Sequence, residues 1–321
     1  MVGFQRFTTH PLRHVFSILL AELQGMEPGS SLAFDVPDPD VASDKFAGEF
    51  VDVGGTECLY RPWKVWVELA EELGCTFCTP VSVKDGFVRL SYRKWRDEDS
   101  WHHDGKESGD QEKYGAHSRF GRTGKFEEPS FLSAFQSSLN FLRLPPSARV
   151  LSLGVNQGDE LAYFLQGEGG AARDDWQLVG VDHSKTAIET ARLRLDHPSV
   201  QLHVADIRAL ASLNLGRFDL ILSINTLHSP SLSGHTLLQS LVKEMLRPLG
   251  GLLIGLPNGR YRDHELTYGA RTKNYSHPEL SVLLKDVAFY RRYLQRQHFE
   301  VTVTGKTTVF ITARKRRTSS R

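Results

Sequence analysis

The 321-residue sequence predicts an α/β domain on a mostly parallel, seven-stranded sheet that ends in an antiparallel hairpin, preceded by a small α+β domain. Three observations carry this. Apolar runs at 149–153, 177–182, 200–204, 218–224 and 250–256 alternate with helical patterns at 159–166, 184–196, 233–247 and 279–297. That order calls for parallel strands with helices on both faces. The last two runs, "FEVTVT" and "TTVFITARK", are joined by little more than Gly305-Lys306, which leaves room only for an antiparallel pair. The polar stretch 96–113, "RDEDSWHHDGKESGDQEK", has no periodicity and reads as a linker after a first part at 1–95.

In the first part, "HPLRHVFSILLAEL" places Leu12, Val15, Phe16, Leu19, Leu20 and Leu23 at helical spacing. A second helix starts near Pro62, carries Trp63, Trp66, Val67, Ala70 and Leu73, and stops at Gly74. "PVSVKDGFVRLSYRKW" alternates about Asp85-Gly86, a hairpin signal. After the linker, 114–148 reads as an arm and a leading helix that begins at Pro129 with Phe131, Leu132, Phe135 and Leu139. The α/β domain then spans 149–314, and 315–321 is a basic tail, read as a solvated end.

Hydrophobic residues make up 40% and charged residues 24%, enough apolar material for a sizeable core. The formal net charge of +1 gives no global field toward nucleic acid or membrane. No apolar run approaches the roughly 18 residues that span a bilayer, and Val15–Ala21 reads as an ordinary helix. Three cysteines, Cys58, Cys75 and Cys78, argue against a disulfide framework and suit a reducing compartment, so a cytoplasmic location is expected.

The chemistry concentrates at strand ends. In "VLSLGVNQGDE", 150–160, a buried strand meets Gly154, which allows a sharp exit, and Gly158, which allows the next helix to start close to the strand and to a ligand. "QLVGVDHS" ends in Asp182, placed to accept from both hydroxyls of a ribose. "VQLHVADI" ends in Asp206, placed to accept from an adenine amine, with Ile207 against the ring. Both aspartates also precede helical runs and would serve as N-caps.

These elements, with "FDLILSINTLH", "LGGLLIGLP" and the terminal hairpin, resemble the class I S-adenosylmethionine-dependent methyltransferases over roughly 130–314. The resemblance implies a Rossmann-like fold and S-adenosyl-L-methionine as cofactor. It implies that Gly154, Val155, Asn156 and Gly158 face the methionine part. Asp182, with His183 beside it, would hold the ribose, and Asp206 with Ile207 the adenine. Ser152 stands where the family commonly has an acid, and Asn156 where it often has glycine. Glu160 or Asp159 then supplies the missing charge, or simply favours the helix N-terminus. Tyr114 or Arg119, in the arm, would meet the cofactor's carboxylate as part of a lid.

On the acceptor side, "SINTLHS" lacks the Asn/Asp-Pro-Pro-aromatic motif frequent in methyltransferases of base amino groups. His228 is the candidate general base, and Asn225 orients cofactor or substrate. The long segment 257–281 is rich in Tyr, Arg, Asn and His. It offers Asn258, Arg260, Tyr261, Arg271, Lys273 and Asn274 to an anionic substrate. No metal site is expected: Cys75-x-x-Cys78 lacks a second pair, even with His10 and His14 nearby in sequence, and His102-His103-Asp104 sits in the linker.

The expected function is methyl transfer to an O, N or S acceptor, a small molecule before RNA. A protein that binds the cofactor without catalysis and an NAD-dependent dehydrogenase are the alternatives. The dehydrogenase lacks its G-x-G-x-x-G fingerprint. A homodimer through the first part is a further expectation, and no membrane partner is expected.

Overall fold

The computed structural model describes residues 5–42, 44–96, 118, 120–166, 175–229, 232–269 and 280–316. Among these, the residues up to Arg96 together with 261–265 form one compact unit, and the rest form another. The linker, Tyr114, Arg119, Arg271, Lys273, Asn274 and the end of the basic tail lie outside the described residues.

The first unit holds β1 (Gln5–Arg6), α1 (Leu12–Gln24), β2 (Ser31–Pro37), β3 (Phe50–Val53), β4 (Thr56–Leu59), α2 (Trp63–Glu72), β5 (Cys75–Phe77), β6 (Val81–Ser82) and β7 (Phe87–Lys94). Its main sheet runs β1-β2-β7-β5, with β6 on β7, while β3 and β4 pair separately. Helical periodicity buries Val15, Leu19 and Leu23 of α1 and Trp66, Leu69 and Ala70 of α2 against Phe34, Leu90 and Tyr92 of the sheet. Val67, expected on this face, is 47% exposed at its margin, and Leu69 is buried instead. The turn at Asp85-Gly86 has φ 64° and 76°, the left-handed pair a tight hairpin requires. Gly54-Gly55, at φ 58° and 81°, makes the same kind of turn between β3 and β4, a hairpin the sequence reading overlooked.

The second unit begins with α3 (Pro129–Leu142) and continues through β8 (Arg149–Leu153), α4 (Asp159–Gln166), β9 (Gln177–Asp182), α5 (Lys185–Arg194), β10 (Val200–Val204), β11 (Phe218–Ile224), α6 (Gly234–Ser240) and β12 (Leu246–Pro257). After the hairpin of β13 (Gly259–Arg262) and β14 (Glu265–Tyr268) come α7 (Ser281–Arg296), β15 (Phe299–Gly305) and β16 (Thr308–Lys315). The seven-stranded order is β10-β9-β8-β11-β12-β16-β15. The first five strands are parallel, and β16 is antiparallel to both its neighbours. Strand order reverses between β8 and β11, so the carboxyl ends of these two strands open the crevice where open α/β sheets bind ligands.

Alternation along each strand feeds two cores. Leu151, Leu153, Ile221 and Ile254 face Leu238, Tyr290 and Leu294 of α6 and α7. Val150, Leu178, Leu220, Leu222 and Leu253 face Phe131 and Phe135 of α3, Leu161 and Phe164 of α4 and Ile188 of α5. Ser152 shares the second face by its period-two spacing from Val150 and is 2% exposed. A carboxylate there would be buried on a largely apolar face, where an unpaired charge is costly.

Two boundaries differ from expectation. The helix expected over 233–247 gives way to one π turn at 241–245, and β12 starts four residues early, at Leu246. Leu246 pairs with Phe218, then the register jumps so that Gly251 pairs with Leu220; Pro248, which has no N–H to give, lies in the bulged stretch. The segment 257–281, expected to meet the substrate, contains the hairpin of β13 and β14. Its turn residues Asp263 and His264 take φ 43° and 70° without a glycine to announce them. Among the described residues no helix is long and apolar enough to cross a membrane, and no cluster of His, Cys, Asp and Glu could hold a metal ion.

Candidate functional site

The turn after β8 is built on three left-handed residues, Gly154 (φ 68°), Asn156 (φ 47°) and Gly158 (φ 85°). The N–H groups of Gly154 and Val155 donate to the Val181 carbonyl at 2.9 and 3.2 Å, which ties the turn to β9. A Cβ on Gly154 would overlap the Thr226 hydroxyl and come within 2.9 Å of its methyl. This glycine therefore lets the ends of β8 and β11 close together. At Gly158 the Cβ direction runs into Leu195, so this glycine serves the packing of α4 onto the end of α5.

Asp182 closes β9 and is 6% exposed. One carboxylate oxygen accepts the Asn156 N–H at 2.9 Å and the other the Ser184 N–H at 2.9 Å. His183 Nδ1 stands 3.4 Å from the same group. Asp206 lies on the same edge of the sheet, since Val204 pairs with Asp182 and the Ala205 N–H donates to the Asp182 carbonyl at 2.9 Å. Its carboxylate is engaged by Arg208, accepting from the Arg208 N–H at 2.8 Å and from the guanidinium Nε at 2.9 Å. Those bonds, first the side-chain one, hold the Asp206 carboxyl below the usual range. The N-cap reading of Asp206 is thus realised, and Ile207 beside it is buried.

The acid that follows the turn is Glu160, 4% exposed. Burial pushes its carboxyl upward, against the pull of the Lys125 ammonium, whose Nζ lies 3.8 Å from Oε1. Asp159 turns away to an ion pair with Arg194, so Glu160 is the one left facing Lys125. Lys125 heads a short 3-10 turn, Lys125–Glu127, in the arm before α3. The arm is fastened here twice. The Gln157 side-chain amide donates to the Gly121 carbonyl at 2.8 Å, and the Phe126 ring stacks on Tyr163 of α4 at 5.2 Å.

Beyond β11, Asn225 adopts φ 53°, with its N–H on the Gly255 carbonyl at 2.9 Å. Its Oδ1 is buried without a partner among the described residues, as is Nδ1 of His228. Burial, and secondarily the Lys125 charge, pushes the His228 imidazole down to about 4. Asn258 is turned to the β15–β16 turn: its N–H and Nδ2 donate to the carbonyls of Thr307 and Lys306, both at 2.8 Å. Arg260, in β13, belongs to the same unit, whereas Tyr261 belongs to the first. The structure thus gathers Gly154, Asn156, Glu160, Asp182, Asn225 and His228 at one edge. Sequence reading did not assign Lys125, Gln157 or Thr226 to this set, although Lys125 lies in the arm and Gln157 in the turn itself; no spacing rule links Lys125 or Thr226 to the turn.

The donor set fits a nucleoside that carries a zwitterion. Asp182 is an acceptor-only group suited to hydroxyls, Glu160 and Lys125 offer opposite charges, and Asn225 Oδ1 is an orphaned buried acceptor.

Residues 150–250 match a family model described as a methyltransferase domain. No curated protein matches the chain. Among solved structures, a SAM-dependent methyltransferase from Aquifex aeolicus is 20% identical, with 59% of this chain and 94% of that one covered and a TM-score of 0.41. A fibrillarin/Nop5p complex gives 15% identity, 56% and 80% coverage and a TM-score of 0.39. The N-terminal domain of EvdMO1 with SAH bound gives 19%, 56% and 80%, and 0.38.

Proposed function

On the premise that residues 150–250 form a methyltransferase domain of the class I, S-adenosylmethionine-dependent kind, we propose that the chain methylates an oxygen, nitrogen or sulfur atom of a small molecule, with His228 as the base. The cofactor, when bound, supplies a methyl group already activated on a sulfonium. The protein's own work is then to place the acceptor in line and to take its proton.

Asp182 would hold the ribose hydroxyls, with two lone pairs left after its bonds to Asn156 and Ser184. Ile207 would lie against the adenine. Asp206, both of whose oxygens accept from Arg208, would reach the adenine amine only with a lone pair left beside those bonds. Asn225 would turn its orphaned Oδ1 toward the bound groups.

The observation that carries the catalytic part is the sealed, unpartnered Nδ1 of His228 at the end of β11. With its pKa near 4 the ring is neutral at neutral pH and keeps a lone pair for a proton. So weak a base suffices where the acceptor grows strongly acidic as it is methylated, as a hydroxyl does. Asn258, tied to the terminal hairpin, is the acceptor-side residue with an unused buried oxygen. A cytoplasmic setting, supported by three free cysteines, and a homodimer through the first unit, supported by exposed Val41, Phe46 and Phe50, complete this reading.

The test is incubation with methyl-labelled cofactor in an extract of cells lacking the protein. Label is expected in the small-molecule fraction with the wild type and at least about 100-fold less with His228→Ala. Label confined to RNA or protein, or equal labelling by the variant, overturns it.

A further inference from the structure

The Lys125–Glu160 pair calls for an explanation that stability does not supply. Both side chains are largely removed from solvent, 16% and 5% exposed, and sit 3.8 Å apart. A buried ion pair rarely outdoes an apolar pair of the same size, because both charges lose their hydration. Nor is the separation that of a tight hydrogen-bonded bridge, which would be about 2.7–2.9 Å. The pair is loose and deep.

Its position is specific. Glu160 is in the first turn of α4, two residues past Gly158, and feels the charge of Asp182 on one side. Lys125 is felt by His228 on the other. The pair, 3.8 Å apart, thus has the group assigned to ribose among the charges acting on its acid and acts with its base on the group assigned to the acceptor's proton. The Gln157–Gly121 hydrogen bond and the Phe126–Tyr163 stack fix the arm that brings Lys125 there. Between a ribose and a reacting methyl, the cofactor carries an ammonium and a carboxylate on one carbon.

We propose that Lys125 and Glu160 are a two-sided clamp for that amino-acid end. Glu160 takes the ammonium, Lys125 takes the carboxylate, and one loose ion pair is exchanged for two close ones. The clamp rests on the cofactor reading given above. It supplies the negative charge that Ser152 does not, and it ties the 120–128 arm to the zwitterion.

The test is calorimetric binding of three ligands: S-adenosylhomocysteine, its analogue without the amino group, and methylthioadenosine, which lacks the amino-acid end altogether. Wild type, Lys125→Met and Glu160→Gln are compared. Each variant is expected to bind S-adenosylhomocysteine roughly 10- to 100-fold more weakly, the loss of one charge-assisted contact. Methylthioadenosine affinity is expected to stay within about twofold of wild type, which also shows that the variants are folded. The analogue without the amino group is expected to be sensitive to Lys125→Met and indifferent to Glu160→Gln. Unchanged affinity for S-adenosylhomocysteine, or equal weakening of all three ligands, overturns the clamp. If the wild type binds none of them, the cofactor reading itself fails, an outcome separate from binding without dependence on the two charges.

Discussion

Asp182 and Asn156 meet across two strand ends: the carboxylate of one accepts the backbone N–H of the other at 2.9 Å, and Asn156 holds φ 47° to present it. The acid assigned to the ligand thus also shapes the turn beneath it. Any change at Asp182 acts twice.

Asp182→Asn tests this. An amide offers one acceptor oxygen where the carboxylate offers two, so either Asn156 or Ser184 is left facing an NH2 group. A buried donor without an acceptor costs about 1–3 kcal/mol. Denaturant unfolding is expected to show a loss of that size, and calorimetry at least about a tenfold loss of S-adenosylhomocysteine affinity. Full affinity with lowered stability would leave Asp182 a purely structural residue.

Gly154→Ala addresses the packing of the turn. The residue sits at φ 68°, and its new methyl would overlap Thr226. Strain of this kind costs about 1–3 kcal/mol. Thr226→Ala removes the overlapping atoms but not the backbone strain. The double variant is expected to regain part of the loss, with a coupling of at least about 0.5 kcal/mol. Strict additivity of the two changes would show that the overlap is relieved some other way.

The parallel sheet was legible because β8, β9, β11 and most of β12 are buried on both faces and read as nearly uninterrupted apolar runs. The half-exposed β10 was read from its place in the alternation, the terminal hairpin from its short connection, and Asp182 from its place at the end of β9. The first unit was harder. Gln5–Arg6 and Cys75–Phe77 are too short to show a period, and β2 is a strand only because β7 lies beside it. At the site, the turn and its acids were local in sequence, whereas the Lys125–Glu160 and Gly154–Thr226 relationships join distant segments and appear only on folding. Asp206 is the instructive middle case. Its position suggested both a ligand contact and an N-cap, and the geometry adds a partner, Arg208, that occupies the carboxylate in either role.

Phe135 is the hub that joins the arm to the sheet. It is fully buried, with Phe126, Phe131, Tyr163, Phe164 and Phe310 all having ring centres within 6.2 Å. Phe135→Ala is expected to cost about 3–5 kcal/mol in denaturant unfolding. Phe135→Leu, which keeps most of the volume, is expected to cost less than half as much. Because Phe126 lies in the same turn as Lys125, the alanine variant should also lower proteolytic resistance locally: cleavage in 120–128 should accelerate more than cleavage in β16. Uniform acceleration would mean that the arm has no separate dependence on this contact.

His228 gives the clearest dependence on pH. Its folded pKa is near 4 against an ordinary 6.5, so between these values the unfolded chain binds the extra proton. Stability attributable to the neutral ring is therefore complete above 6.5 and is lost as pH falls toward 4, by up to about 1.4 kcal/mol per unit. Glu160 works in the opposite sense: its raised carboxyl holds a proton more readily in the folded state, so its contribution grows as pH falls toward the ordinary range. Comparing wild type with His228→Asn keeps Glu160 constant and isolates the imidazole. The difference in unfolding free energy between the two is expected to shrink steadily from pH 6.5 to 4 and to be flat above 7. In turnover, the acid limb of kcat should show no inflection near 6.5 and should fall only as pH approaches 4. An inflection near 6.5, with a pH-independent stability difference, would mean that the ring is solvated and titrates as an ordinary imidazole, not as the sealed, weakened base assigned here.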